Sequence, residues 1–245
     1  MAEAPDPELW KELDRVEQES REQQRPLLSR LEPAIAVLHD APNALTGLAT
    51  GEPNAPHLIV AGEAIQRALD DLRALWLLLQ SGYTVAASAV AADLWEHAML
   101  ATCTAGDEVL AAEFTKAEPI ERPEPGDLAG RAVQLLAVAG ADAERMMLEF
   151  SVGYEWLRQL RHTNYTAIAQ ATPGQANDGG ALHLRALPQT GGDFDDTRML
   201  LAVVFIALRR ALMQLAAALE IDMAAEGREW LTRFDGAWRL VQETR

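Results

Sequence analysis

One short stretch brings together the residues best suited to acid–base and phosphate chemistry: Tyr154-Glu-Trp-Leu-Arg158-Gln-Leu-Arg161-His162-Thr-Asn164-Tyr165. Read as a helix at about 100° per residue, Tyr154, Arg158, Arg161, His162 and Tyr165 fall within an arc of roughly 100°. Trp156, Leu157, Leu160, Ala167 and Ile168 fall on another side and form an apolar stripe. Histidine titrates near neutral pH and can move a proton, and arginine matches phosphate oxygens in geometry and charge. Arg158 and His162 are therefore the candidate catalytic pair, with Arg161, Tyr154 and Tyr165 as candidate substrate-binding residues. The same residues can instead pair with buried carboxylates. Asn164, on the apolar side, reads as a buried hydrogen-bonding residue.

Asp93, Glu96 and His97 form a second group, on a segment otherwise almost free of charge. Buried charges require partners, so these three are expected to form a structural ion-pair network, with Arg158 or Arg161 reaching Asp93 or Glu96. No second Glu-x-x-His or Cys–His framework accompanies them, so no metal and no cofactor is expected. His39, His57 and His183 carry no useful spacing. Gly-rich phosphate loops and nucleophile elbows are absent from the sequence, which argues against nucleotide hydrolysis and serine-hydrolase chemistry.

The elements that must hold these groups read as helices throughout. The chain has 245 residues, 49% of them hydrophobic, only 6% aromatic, and carries a net charge of −16. Alanine and leucine dominate and β-branched runs are scarce, which favours helix over sheet. Pro7 to about Gln24 reads as a polar helix, followed by a break at Pro26–Pro33, a second piece to His39, and a loop over Ala41–Pro56. Helices are expected from Pro56 to Gln80 with Gly82 as terminator, over Tyr83–Thr104, from Asp107 to Lys116, and from Asp127 to about Val152. Glu118–Gly126 reads as a proline-rich linker. Residues 172–193 are a long Gly/Pro/Asn-rich loop, free to move or near a site. The last helices run from Asp195 to Leu219 and from Asp222 to Glu243. The expectation is an all-α, single helical-bundle domain of about seven or eight helices, with Tyr83–Thr104 at its centre. The N-terminal helices, residues 1–40, would be peripheral, and residues 194–243 would supply the C-terminal helices.

The single cysteine, Cys103, rules out an intrachain disulfide and suits a reducing compartment. The apolar run Met199–Leu208 is interrupted by Arg209 and Arg210, short of a membrane span, and no leader is apparent. These features point to a cytoplasmic protein with no membrane partner. The acidic balance disfavours DNA and nonspecific nucleic-acid binding but suits a basic protein partner.

A Gly82-Tyr83 turn, a small-residue helix carrying Glu96, and a Tyr-x-x-Leu…His-x-Asn segment from Tyr154 to Asn164 occur in this order. Over roughly residues 69–165 this resembles an uncharacterised group of bacterial helical proteins related to the HEPN superfamily. The resemblance implies a HEPN-like core over residues 56–171, a homodimer, and a metal-independent endoribonuclease of a toxin–antitoxin or antiphage defence system. It also implies a protein partner such as an antitoxin or defence-system subunit. In the family, the histidine transfers a proton with the RNA 2′-hydroxyl while an arginine holds the scissile phosphate. The family places four to six residues between that arginine and histidine; Arg158 and His162 have three between them. Asp93 stands where the related group has an arginine. The alternative is a non-catalytic helical protein-interaction or regulatory subunit. A third reading, a small-molecule-binding bundle, requires an enclosed apolar pocket.

Overall fold

A computed structural model describes residues 7–49, 54–116, 127–128, 130–132, 134, 152–157 and 195–243. Six longer helices are described: α1 (Pro7–Leu48), α2 (Pro56–Gln80), α3 (Thr84–Gly106), α4 (Glu108–Lys116), α5 (Asp195–Ala218) and α6 (Arg228–Glu243). Residues 127–128, 130–132, 134 and 152–157 are also helical, and no strand occurs among the described residues. The fold is an all-α bundle.

α3 is the centre. Thirteen of its residues, from Ala87 to Ala105, are buried, most of them Ala, Ser, Thr or Cys. Such short side chains let α2 pack against it on one side and α5 on another. α2 turns a stripe of Leu58, Ala61, Ile65, Ala68, Leu72, Leu75 and Leu79 inward at helical spacing. Gly82 lies between α2 and α3 at φ 81°, a left-handed conformation that costs a side-chain-bearing residue more. Cys103 is fully buried on α3, and its thiol donates to the Leu128 carbonyl at 3.1 Å.

The N-terminal region differs from expectation. In place of two short helices and a loop, α1 runs unbroken for 42 residues through Pro26, Pro33 and Pro42. Pro26 and Pro33 are exposed, so the carbonyls that they deprive of donors can turn to water. Leu31, Leu38 and Leu45, seven residues apart, are fully buried. This apolar register outweighs the local proline cost, about 3 kcal/mol per site. The half of α1 nearest its C-terminus thus belongs to the core.

Polar ties hold α1 along its length. The Tyr83 hydroxyl donates to Glu17 at 2.7 Å, and Arg21 reaches both Glu17 and Ser81. The bond to Glu17, aided by burial, pushes the Tyr83 phenol up to about 12. Buried Gln24 accepts a long hydrogen bond from Thr197 at the start of α5, and Arg233 of α6 pairs with Asp40 at 2.9 Å.

α5 and α6 share an aromatic cluster of Phe205, Trp230, Phe234 and Trp238, with Arg209 over the Phe234 ring and 3.8 Å from Asp235. Asp222, expected to start the last helix, instead organises the turn before it. Its Oδ1 accepts from Ala224 and Ala225, and its carbonyl accepts from Glu226. α6 begins only after Gly227, where a Cβ would lie 2.5 Å from the Met223 sulfur and 3.0 Å from its Cα. The apolar run on α5 also extends further than expected, because it resumes after Arg210. By length and composition Thr197–Ala218 could cross a membrane (mean hydropathy 1.8), and 56% of that window is buried within the fold.

Pro33→Ala should raise stability by about 2 kcal/mol, read as a higher urea midpoint; a lower midpoint would contradict a continuous, water-facing helix at that position. Burial pushes the Cys103 thiol from 9.0 up to about 12. The stability linked to this group is therefore complete below pH 9 and is lost as pH rises toward 12, because the unfolded thiol ionises first. Cys103→Ala should flatten the fall in stability between those pH values, and an unchanged slope would refute the assignment.

Candidate functional site

Between Ala87 and Ala105, α3 is buried except along one stripe: Ala89, Val90, Asp93, Glu96, His97 and Leu100 are partly open. Their spacing of three and four residues is that of one helix face. The acidic and imidazole side chains of α3, Asp93, Glu96 and His97, all lie on it.

His97 has a partner that sequence reasoning missed. Its Nδ1 lies 2.8 Å from Oδ2 of Asp71 on α2, with the two side chains 29% and 26% exposed. A carboxylate can only accept, so Nδ1 carries the proton, and in the neutral ring Nε2 presents a lone pair. Asp71 stands 26 residues before His97 in sequence. The available signal was the α2–α3 turn: folding the chain back at Gly82 brings the middle of α2 beside the middle of α3. Asp93 and Glu96 both have interaction partners. The expected partners Arg158 and Arg161 lie outside the described residues, as do His162, Asn164 and Tyr165.

Of the predicted cationic–aromatic face, Tyr154 is described. Its ring stacks on buried Trp95 of α3 at a centroid distance of 4.6 Å and an interplanar angle of 26°. Leu157 is fully buried. The helical stretch 152–157 is therefore docked on the central helix through Trp95, on the face opposite the open stripe, with Gly153 close to Val203 of α5.

A cleft of about 440 Å³ opens on the same stripe between α2, α3 and α4. Its floor is apolar: Ala64 and Leu128 are buried, while Val60, Leu100 and Phe114 are partly so. Glu96 and His97 stand half-buried in the wall, and Glu63, Arg67 and Thr115 lie exposed at the rim. At its far end α4 is set by Asp107, whose Oδ1 accepts from the Leu110 N–H, and by a 3.7 Å contact between His57 and Glu108. Among the described residues no group of three or more His, Cys, Asp or Glu side chains is arranged to hold a metal ion.

Comparison of the chain with protein families, with curated proteins and with solved structures finds no match.

The Asp71–His97 bond is partly shielded from water, so it should be worth about 0.5–1.5 kcal/mol. A double-mutant cycle with Asp71→Ala and His97→Ala, measured by urea unfolding, should return a coupling in that range. A coupling indistinguishable from zero would show that the two side chains do not act together.

Proposed function

We propose that this chain is a HEPN-like RNA-acting protein: a metal-independent endoribonuclease that works as a homodimer in a cytoplasmic toxin–antitoxin or antiphage system. One observation supports the reading above others. Tyr154 stacks on Trp95 and Leu157 is buried, so the residues that immediately precede Arg158 are anchored on the central helix. A rigid anchor is what a catalytic arginine and histidine require, because positioning accounts for much of such a site's efficiency. In this reading His162 exchanges a proton with the RNA 2′-hydroxyl, Arg158 holds the scissile phosphate, and Arg161, Tyr154 and Tyr165 bind the strand. A two-fold dimer, the commonest oligomer, would pair two such sites.

A second reading, the non-catalytic interaction or regulatory subunit, is favoured by Trp10. This large aromatic is 55% exposed on the charged first half of α1, where a partner could cover it.

The full chain should cut at least one RNA of a broad structured and single-stranded panel in the presence of EDTA. His162→Ala and Arg158→Ala should each lower cleavage by at least about 100-fold while leaving the circular dichroism spectrum intact. Light scattering should give a dimer at micromolar concentration. Wild-type protein that leaves every RNA uncut, alone or with its native partners, would favour the interaction subunit. Cleavage that survives His162→Ala would remove that residue from the mechanism.

A further inference from the structure

A second groove, of about 220 Å³, runs between α1 and α2. Arg21, Arg25, Ser29 and Glu32 line it from one face of α1. Leu28 of α1 and Trp76 of α2 form its floor, 3% and 6% exposed. Gln80 closes the end near the α2–α3 turn, where Arg21 reaches Ser81. Charge is therefore ordered along the groove, with guanidinium groups toward the turn and a carboxylate at the other end.

The polar groups of this groove are unsatisfied. Arg15 and Arg21, earlier on α1, are held by Glu12, Glu19 and Glu17. Arg25 and Glu32 have no ion-pair partner among the described residues. They stand two turns apart on α1, about 10 Å along its axis, and do not bridge that distance. Glu22, one turn before Arg25, accepts from Gln18 instead. The indole N–H of Trp76 also lacks a hydrogen-bond partner among the described residues. Unlike the unpaired N–H of Trp230, it is not enclosed. The small open part of Trp76 therefore includes this N–H and borders the groove. A nearly buried donor left unpaired at the edge of a groove favours a guest that brings an acceptor.

We propose that this groove binds a zwitterion of the ω-amino-acid type, its carboxylate at Arg25 and the Trp76 N–H, its ammonium at Glu32, and its methylene chain over Leu28 and Trp76. The roughly 10 Å between the two helix positions, less a hydrogen bond of about 2.9 Å at each end, leaves about 5 Å or slightly more between the guest's own charges. That is a linker of about four methylene groups. The volume, below the roughly 300–1,000 Å³ of drug-sized sites, also limits the guest to a short chain. A guest with no net charge is indifferent to the overall charge of −16, which would repel a lone anion. The site calls on none of Arg158, Arg161 and His162, so it stands or falls apart from the RNA reading.

The test is a nuclear magnetic resonance titration of the full chain carrying isotope-labelled tryptophan, with no RNA. The Trp76 indole signal is assigned by its loss in Trp76→Phe. With 5-aminopentanoate it should shift saturably, with a Kd of about 1 mM or tighter, while the signal of enclosed Trp230 stays in place. Pentanoate (no ammonium), pentylamine (no carboxylate) and glycine (charges adjacent) should each bind at least about tenfold more weakly. Arg25→Glu and Glu32→Lys alter exposed residues and should each weaken binding about tenfold. Arg30→Glu, exposed on α1 but outside the groove lining, should change it less than about twofold. Absence of a saturable Trp76 shift, equal binding of any of the three control probes, or Arg25→Glu and Glu32→Lys proteins that bind as wild type would each overturn the proposal. So would an equal loss in Arg30→Glu, because the attraction would then belong to the general charge of α1 and not to the groove.

Discussion

Everything else in this fold depends on how closely other helices approach α3. Its buried positions are mostly small residues, so α2 and α5 can pack against its backbone and leave little room for anything bulky or charged. A helix enclosed in this way can carry charged groups only where its neighbours diverge. That place is the stripe through Asp93, Glu96, His97 and Leu100. The chemistry-bearing groups of α3 are therefore gathered on one side by packing before any ligand is considered. The Asp71 bond and the cleft meet that side because it is where the helix is accessible, whereas Tyr154 stacks on Trp95 on the opposite face.

Much of this architecture was legible in the sequence. The limits of α2 and α3 follow from Pro56, from Gly82 and from unbroken apolar periodicity, and the structure agrees with them closely. The central position of α3 follows from its lack of charge. Where the reading failed, two local signals competed with a longer-range one. In α1 the three prolines suggested a break, but a heptad-spaced leucine row buried against the bundle holds the helix together across them. At Asp222 a cap residue was read as a helix start, although its oxygen caps a separate turn that Gly227 closes. Asp71 was missed for a different reason. Periodicity assigns a residue to a face, but pairing across two antiparallel helices depends on their relative rotation and shift, which a single sequence does not encode in any local pattern.

The ion pairs show a related economy. Arg15, Arg21 and Arg233 are engaged with carboxylates on α1, and Arg209 pairs with Asp235 while covering an aromatic ring. In so acidic a chain such arginines mainly relieve repulsion between neighbouring carboxylates, and each exposed pair adds little stability on its own. The cluster at the α2–α3 turn is more than a surface decoration. Tyr83, Glu17, Arg21 and Ser81 together tie the first half of α1 to the turn that sets the α2–α3 pairing.

α1 is about 63 Å long at 1.5 Å per residue, and its contacts lie far away along the chain. Gln24 meets a residue 173 positions later, and Asp40 meets one 193 positions later. A ribosome adding roughly 5–20 residues per second needs on the order of 10–40 s to make that intervening chain. Throughout that interval the Leu31–Leu38–Leu45 row has no C-terminal helices to cover it. The nascent chain therefore carries an apolar ridge that its C-terminal partners have yet to cover, interrupted by prolines that weaken helix in isolation. Those prolines, a cost to the finished bundle, delay the moment at which the ridge first becomes a continuous sticky surface.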